Sequence, residues 1–157
     1  MRLTRQSSYA VRTLIYCAVQ APELSRVADI ARAYNISELF LFKLIKPLVE
    51  AGLLQTVRGR RGGIRLGRPA AEITLLEAIK LTEESFALAE CFEDDGELSC
   101  PLHGGCDLNG ALGQALRAFF DVLASYTIAD LADKRRNIRD RLGFGDDALA
   151  IAASTTH

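Results

Sequence analysis

The stretch that decides the fold is SELFLFKLIKPLVEAGLLQTVRGRRGGIRLG, residues 37–67. Its first half predicts a helix with one buried face, because apolar residues recur there at the spacing i, i+3, i+4 and i+7. These residues are Leu41, Leu44, Ile45 and Leu48. Ser37 is expected to cap the start of this helix and Gly52 to end it. Pro47 should kink or weaken the last turns, because proline has no backbone N–H to donate.

The second half of the same stretch predicts a β-hairpin. LLQTV (53–57) and GIRLG (63–67) have the composition of short strands. Between them lies RGRRGG (58–63), in which glycines permit a tight turn and arginines can fork onto phosphate oxygens. Taken alone, this segment is equally compatible with a solvated loop.

The residues before this stretch predict two further helices. Residues 5–20 carry apolar side chains at helical spacing, and Ser25 is expected to cap a second helix that ends at the turn YNIS (34–37). Short helices joined by a tight turn form a helix-turn-helix, and an arginine-tipped hairpin directly after it is a wing. We therefore expect a mainly α fold with a small β-hairpin wing, in which residues 1–80 form a winged helix-turn-helix DNA-binding domain.

The predicted DNA contacts fall into two groups. The third helix is expected to enter the major groove by its N-terminal end. The residues presented there are Ser37, Glu38, Phe40 and Lys43. The predicted phosphate ligands are Arg2, Arg5, Arg58, Arg60 and Arg61. Leu39 or Phe40 can contact a thymine methyl group, although core packing is the commoner fate of such residues.

Charge divides the chain into two unlike halves. Residues 1–80 carry 13 Lys and Arg against 6 Asp and Glu, a net charge of +7, whereas residues 81–157 carry 6 against 14, a net charge of −8. A basic half of this kind fits a module that meets a polyanion. The acidic half requires a different role.

That acidic half predicts an association element and a tail. TLLE (74–77) and TIAD (127–130) resemble capping boxes, and Asn109 is expected to cap a long helix. The apolar stripe of that helix comprises Leu112, Leu116, Phe119, Leu123 and Tyr126. Such a helix beyond a small winged helix most often serves homodimerisation, the alternative being an ordinary core helix. Residues 81–143 are thus assigned to a cysteine loop and dimerisation helices, and residues 144–157 to a disordered tail.

Three of the four cysteines lie in CFEDDGELSCPLHGGC, residues 91–106. The spacing Cys91-x8-Cys100-x5-Cys106 permits a disulfide, a zinc site completed by His103, or an iron–sulfur cluster with a variable fourth ligand. No secretory signal pattern precedes it, so we expect a cytoplasmic chain, in which structural disulfides are rare. Spacing leaves zinc and a cluster equally open. Cys17 stands among apolar residues and is expected to be buried.

Other functional classes find little support in the residues. No apolar run is long enough to span a bilayer. No nucleophile–base arrangement or phosphate-binding glycine motif indicates an enzyme, and no small-molecule substrate is expected. A pure electron carrier would have no use for a basic wing.

MRLTRQSSYAVR (1–12), the helix-turn-helix, the wing and the three cysteines together resemble the dimeric iron–sulfur winged-helix repressors. That family includes the cluster regulator IscR, the nitric-oxide sensor NsrR and the rhizobial iron regulator RirA. TVRGRRGGIRLG, AECFEDDGELSCPL and CDLNGAL are most similar to the RirA branch. The resemblance implies that Cys91, Cys100 and Cys106 hold a [4Fe–4S] cluster, with [2Fe–2S] or zinc as alternatives. It also implies that the loaded homodimer binds operator DNA and represses iron-uptake genes.

The fourth ligand is where the chain departs from the family pattern. The histidine ligand of the cluster-biogenesis branch is replaced by Asn109, and the aspartate of the nitric-oxide branch by Ser8 of the partner subunit's first helix. His103, Asp107, Asn109 and the partner subunit's Ser8 therefore remain candidates. Nitric-oxide or redox sensing is the alternative function within the family. A zinc-stabilised DNA-binding protein without sensing chemistry is the other alternative.

Overall fold

The computed structural model describes residues 2–89, 92, 106–133 and 141–142. Its helices are α1 (Arg5–Gln20), α2 (Val27–Tyr34), α3 (Glu38–Glu50), α4 (Leu75–Lys80), α5 (Asp107–Ser125) and α6 (Ile128–Ala132). Strands β1 (Leu54–Val57) and β2 (Gly63–Leu66) form an antiparallel hairpin, and a 3₁₀ turn (Ala70–Glu72) precedes α4. The predicted mainly α class with a small hairpin is confirmed. None of the described helices combines the length and apolarity needed to cross a membrane.

Helix α1 is the centre of the packing. Its N-terminus is capped by Thr4, whose hydroxyl accepts a hydrogen bond from the backbone N–H of Ser7. Its buried side chains include Leu14 and Cys17, and it packs against α3, α4, α6 and β2. The apolar spacing of residues 5–20 predicted this helix correctly.

Helix α2 begins at Val27, and Arg26 rather than a serine occupies its N-cap position. Ser25 was expected to cap it, but this prediction is wrong, because Ser25 instead exchanges two backbone hydrogen bonds of 2.9 Å with Ile64 in β2. That pairing fastens the base of the hairpin to the entrance of α2. The helix ends at Asn35, whose left-handed backbone (φ 50°) makes the turn into α3.

Helix α3 has the predicted cap and the predicted buried face. The Ser37 hydroxyl accepts a hydrogen bond from the Phe40 backbone N–H. The helix continues through Pro47 to Glu50, and Gly52 follows its end with a φ of 73°. Its buried residues are the predicted four: Leu41, Leu44, Ile45 and Leu48.

The hairpin pairs Leu54 with Leu66 and Val57 with Gly63. Buried Leu54 and Ile64 anchor it to the core, whereas residues 58–61 at the turn are exposed. Gly62 is required by the tightness of this turn, because a Cβ atom there would lie 2.3 Å from the carbonyl oxygen of Val57. The hairpin therefore has a fixed base and an exposed tip.

The two predicted capping boxes differ in outcome. In α6 the box is complete, since Thr127 and Asp130 each accept from the other's backbone. In α4 the Thr74 hydroxyl caps the helix, but the Glu77 carboxylate binds Arg68 at 2.5 Å. An ionic partner therefore replaces the predicted return hydrogen bond.

Helix α5 starts three residues earlier than predicted. Cys106 occupies the N-cap position and Asp107 begins the helix, so the predicted Asn109 cap is wrong and Asn109 lies in the first turn. Leu123 is buried, but Leu108 and Val122 are 64% and 57% exposed. Helix α5 contacts α4, while α6 returns to α1. The predicted tail, 144–157, lies outside the described residues.

Candidate nucleic-acid interface

The N-terminal end of α3 presents most of its predicted DNA contacts to solvent. Ser37, Glu38 and Lys43 are exposed. Phe40 is half-buried, with its ring edge-on to Tyr9 of α1 at 5.7 Å between centroids. Glu38 and Lys43 are thus available to a ligand, whereas Ser37 also caps α3 and Phe40 also supports the packing of α3 on α1.

The outward face of α3 contains a pair that sequence reasoning did not join. Leu39 is 69% exposed and Phe42 is 54% exposed. Lys43 and Lys46 lie on the same side of the helix. The signal was present in the sequence, because Leu39 and Phe42 are three residues apart and so share a helix face.

The tip of the hairpin holds three arginines that are available to a ligand. Arg58, Arg60 and Arg61 are exposed, and none enters an ion pair within the described part of the chain. Arg65, on the strand, donates instead to Gln55 at 3.0 Å. The tip therefore carries exposed guanidinium groups that form no ion pair with the described acidic residues.

A cation–aromatic cluster lies beside the N-terminus of α1. The predicted phosphate ligands Arg2 and Arg5 are exposed, and the Arg5 guanidinium stands 5.8 Å from the centre of the Tyr9 ring. Arg12, which sequence reasoning missed, lies over Tyr9 at 5.2 Å and over Tyr34 at 6.0 Å. The Tyr34 hydroxyl donates to the Arg12 carbonyl at 3.0 Å, which ties α2 to α1. Desolvation raises the pKa of Tyr34 to about 12, so this donor stays protonated.

A polar network joins the start of α1 to the end of α4. Buried Ser7 donates its hydroxyl to the Glu83 carboxylate and contacts the Thr82 hydroxyl at 2.8 Å. The Thr4 backbone N–H donates to the same carboxylate at 2.7 Å. Desolvation raises the pKa of Glu83, but the hydrogen bonds from Ser7 and Thr4 more than offset it and leave the pKa below its ordinary value. We name residues 4, 7, 82 and 83 the Ser7–Glu83 network.

One of the three predicted cysteine ligands lies within the described residues. Cys106 is half-buried at the N-cap of α5, is in no disulfide, and makes no side-chain capping hydrogen bond. Among the other candidates, Asp107 and Ser8 are exposed and Asn109 is half-buried. Cys91, Cys100 and His103 lie outside the described residues. Within the residues that are described, no group of three or more His, Cys, Asp or Glu side chains could hold a metal ion.

Residues 3–134 match the Rrf2 family, which is described as iron-dependent transcriptional regulators. The chain belongs to the Rrf2 family. It is 60% identical over 143 residues to Protein aau3 of Rhizobium meliloti (strain 1021), covering 91% of this chain and 92% of that protein. It is 42% identical over 143 residues to the HTH-type transcriptional regulator NsrR of Geobacillus kaustophilus (strain HTA426), covering 90% and 97%.

Solved Rrf2-type structures agree with the fold. The structure of CymR, the global cysteine regulator of B. subtilis, superposes with a TM-score of 0.69 at 28% identity and covers 85% of this chain and 98% of that one. The chain is therefore a winged-helix, DNA-binding transcriptional regulator and not an enzyme.

Cys17 plays no part in the exposed chemistry of this Rrf2 protein. It is 2% exposed, as predicted, and burial raises the pKa of its thiol to about 12, although the Ser25 hydroxyl acts in the opposite direction. A thiol held protonated in the core is a poor nucleophile and a poor metal ligand. Cys17 is a packing residue.

Proposed function

We propose that the protein is a homodimeric repressor of iron-uptake genes, similar to the rhizobial iron regulator RirA, which binds operator DNA when its cysteine loop holds a cluster. The observation that carries the DNA-binding part is the exposed tip of the hairpin, where Arg58, Arg60 and Arg61 have no ion-pair partner within the described residues. Exposed guanidinium groups on a glycine turn suit phosphate oxygens.

The two parts of the interface have different roles in this proposal. The arginines of the tip, with Arg2 and Arg5, bind phosphate and supply affinity that depends little on sequence. The N-terminal end of α3 enters the major groove and reads base edges. A two-fold dimer then requires a pseudo-palindromic operator whose half-sites lie about one helical turn apart.

Arg60→Ala tests this division of roles. Removal of one phosphate ligand should weaken binding to all DNA sequences alike, and the slope of log Kobs against log salt should fall by about one unit. Fluorescence anisotropy at several salt concentrations, on cognate and scrambled duplexes, measures both effects. A loss confined to the cognate duplex would contradict a phosphate role.

The dimer part of the proposal rests on the exposed stripe of α5. Apolar residues recur there with alternating spacings of four and three, the pattern by which helices pair in coiled coils. The stripe comprises the exposed Leu108, Ala115, Val122 and Tyr126 and the half-buried Leu112 and Phe119. It differs from the predicted stripe, because Leu116 lies beside Phe86 and Phe120 and Leu123 is buried. The buried Leu123 lies to one side of this stripe, towards the chain's own core. A second copy of α5 would cover the stripe in a two-fold interface.

The chemistry of the donor set fits the implied cluster. The Cys106 thiol is engaged neither in capping nor in a disulfide, and backbone N–H groups at a helix N-terminus favour a negatively charged ligand there. Cys91, Cys100 and Cys106 would hold a [4Fe–4S] cluster, and [2Fe–2S] or zinc are the alternatives. His103, Asp107, Asn109 or the partner subunit's Ser8 would complete the site. When bound, such a cluster supplies a group that is sensitive to iron supply and to oxidants.

The Ser7–Glu83 network suggests how the loop and the DNA-binding surface are coupled. Glu83 precedes the segment that leads to Cys91, and its carboxylate is held by residues at the start of α1. Helix α1 in turn packs against α3. Loading of the cysteines and binding of operator therefore favour the same form of the dimer. By linkage, operator DNA should tighten binding of the metal by the same free energy by which the metal tightens binding of the DNA, typically about 1–3 kcal/mol.

The first experiment is to measure iron, acid-labile sulfide and zinc, with a visible spectrum, on protein purified without oxygen. We expect iron and sulfide in equal amounts, about four of each per chain. Removal of iron by a chelator should then release a bound operator duplex. Zinc at about one per chain, without sulfide or colour, would overturn the sensing function and leave DNA binding intact.

The second candidate is nitric-oxide or redox sensing. It is supported by the 42% identity to a regulator named NsrR. The rate of DNA release separates the two candidates. A nitric-oxide sensor should release operator DNA faster with a nitric-oxide donor than with an iron chelator, whereas an iron sensor should not. Residue 8 is a serine, where the resemblance implies an aspartate ligand in that branch, and we therefore rank the iron response first.

A further inference from the structure

Helix α3 has a second apolar surface besides its buried face. Leu39 is 69% exposed and Phe42 is 54% exposed, on the side opposite the core. The side chains between them are already used, since Phe40 packs on Tyr9 and Leu41 is fully buried. The fold therefore leaves most of Leu39 and about half of Phe42 open to solvent among the described residues.

The surroundings of this pair indicate the chemistry of its partner. Lys43 and Lys46 lie on the same side of α3, where Lys46 forms an exposed ion pair of 3.9 Å with Glu50. The arginines of the tip, 58, 60 and 61, lie on the adjoining hairpin. An apolar spot within a cationic surface suits a polyanion that carries apolar groups. Duplex DNA does so in its major groove, where the C5-methyl group of thymine is the only apolar feature of a base edge.

We propose that Leu39 and Phe42 read thymine methyl groups on neighbouring base pairs of the operator. This inference rests on the proposed DNA binding and adds a base preference to it. Residues three apart on a helix differ by about 4.5 Å along its axis, which is close to the base-pair rise of about 3.4 Å. Leu39 and Phe42 can thus meet adjacent base pairs, while Lys43 and Lys46 meet phosphates.

The test uses DNA selected by the protein itself. The full chain, purified without oxygen, enriches duplexes from a randomised library. The enriched pool is then amplified with either dTTP or dUTP, which differ only in the methyl group. The wild-type protein should bind the uracil pool more weakly, by about fourfold for each thymine methyl group that the two side chains would otherwise meet. The double variant Leu39→Ala/Phe42→Ala should bind both pools with the same affinity.

Arg60→Ala is the matched control, because it should weaken binding to both pools and keep the preference for thymine. Equal wild-type binding to the two pools would overturn the methyl inference while leaving DNA binding in place. A thymine preference that persists in the double variant would also overturn the methyl inference, because other residues would then be reading the methyl groups. A library that never enriches would overturn the proposed function as well. If the double variant changed the oligomeric mass in solution but not DNA binding, Leu39 and Phe42 would belong to a contact between copies of the chain, and the methyl inference would be wrong.

Discussion

Helices α1 and α5 are both long and amphipathic, but within the described part of the chain α1 has many more buried side chains than α5. Seven of the 16 residues of α1 are buried, whereas Leu123 is the only buried residue among the 19 of α5. Helix α1 meets α3, α4, α6 and the hairpin, while the main contact of α5 is with α4. A periodic apolar pattern thus predicts a helix, but it does not indicate whether the apolar face packs within the same chain or against another chain.

The largest expected effect comes from the core face of α1. Leu14→Ala should lower the free energy of unfolding by about 2–5 kcal/mol, because Leu14 is fully buried and its truncation leaves a cavity. Urea denaturation monitored by circular dichroism measures this change. Val122→Ala on the exposed stripe of α5 is the control. At a protein concentration below the dimer dissociation constant it should change the free energy of unfolding by less than about 0.5 kcal/mol. Equal losses in the two variants would abolish the contrast between the helices.

A charge on the exposed stripe of α5 should act on association instead. Val122→Glu would bury a carboxylate in the proposed dimer interface and should weaken the dimer by at least about tenfold, or 1.4 kcal/mol. Sedimentation equilibrium measures the dimer dissociation constant. Gln114→Glu introduces the same charge elsewhere on α5 and should leave that constant nearly unchanged. If both variants dissociated alike, the stripe would not be the interface.

The Ser7–Glu83 network also stabilises the position of α1 in the fold. Ser7→Ala should cost about 1–2 kcal/mol of unfolding free energy, because Glu83 loses a hydroxyl donor within a partly buried network. Glu83→Gln and the double variant complete a thermodynamic cycle. A coupling energy near zero would mean that the two side chains contribute independently.

The smallest expected effect is a pH dependence. Hydrogen bonds lower the pKa of Glu83 in the folded state, so its contribution to stability is present above the unfolded-state pKa and is lost as the pH falls through the folded-state value. The difference in melting temperature between wild type and Glu83→Gln should therefore shrink as the pH falls from 7 to about 3. A difference that stays constant over this range would exclude the charge as its source.

Much of this fold could be predicted because its signals are local. The cap at Ser37, the buried face of α3 and the hairpin each depend on residues close in sequence. The caps assigned to Ser25 and Asn109 were wrong because a strand pairing and an earlier helix start took precedence. Both outcomes depend on contacts with other parts of the chain, which the capping propensity of a single residue does not include.

The missed residues of the site have a common cause. Ser7 and Glu83 are 76 positions apart, and neither stands out in composition. Arg12 gains its role only when α2 brings Tyr34 beside it. Polar contacts of this range leave no periodic trace in a sequence, so tertiary structure was needed to find them.

The pairing of Ser25 with Ile64 also has an evolutionary consequence. It holds the base of the hairpin, so the exposed turn at 58–61 can change in length or charge without disturbing buried side chains. Affinity for nucleic acid and preference for a base sequence are then encoded in separate segments. Paralogues could diverge in one property while keeping the other, and a designer could exchange the turn between them.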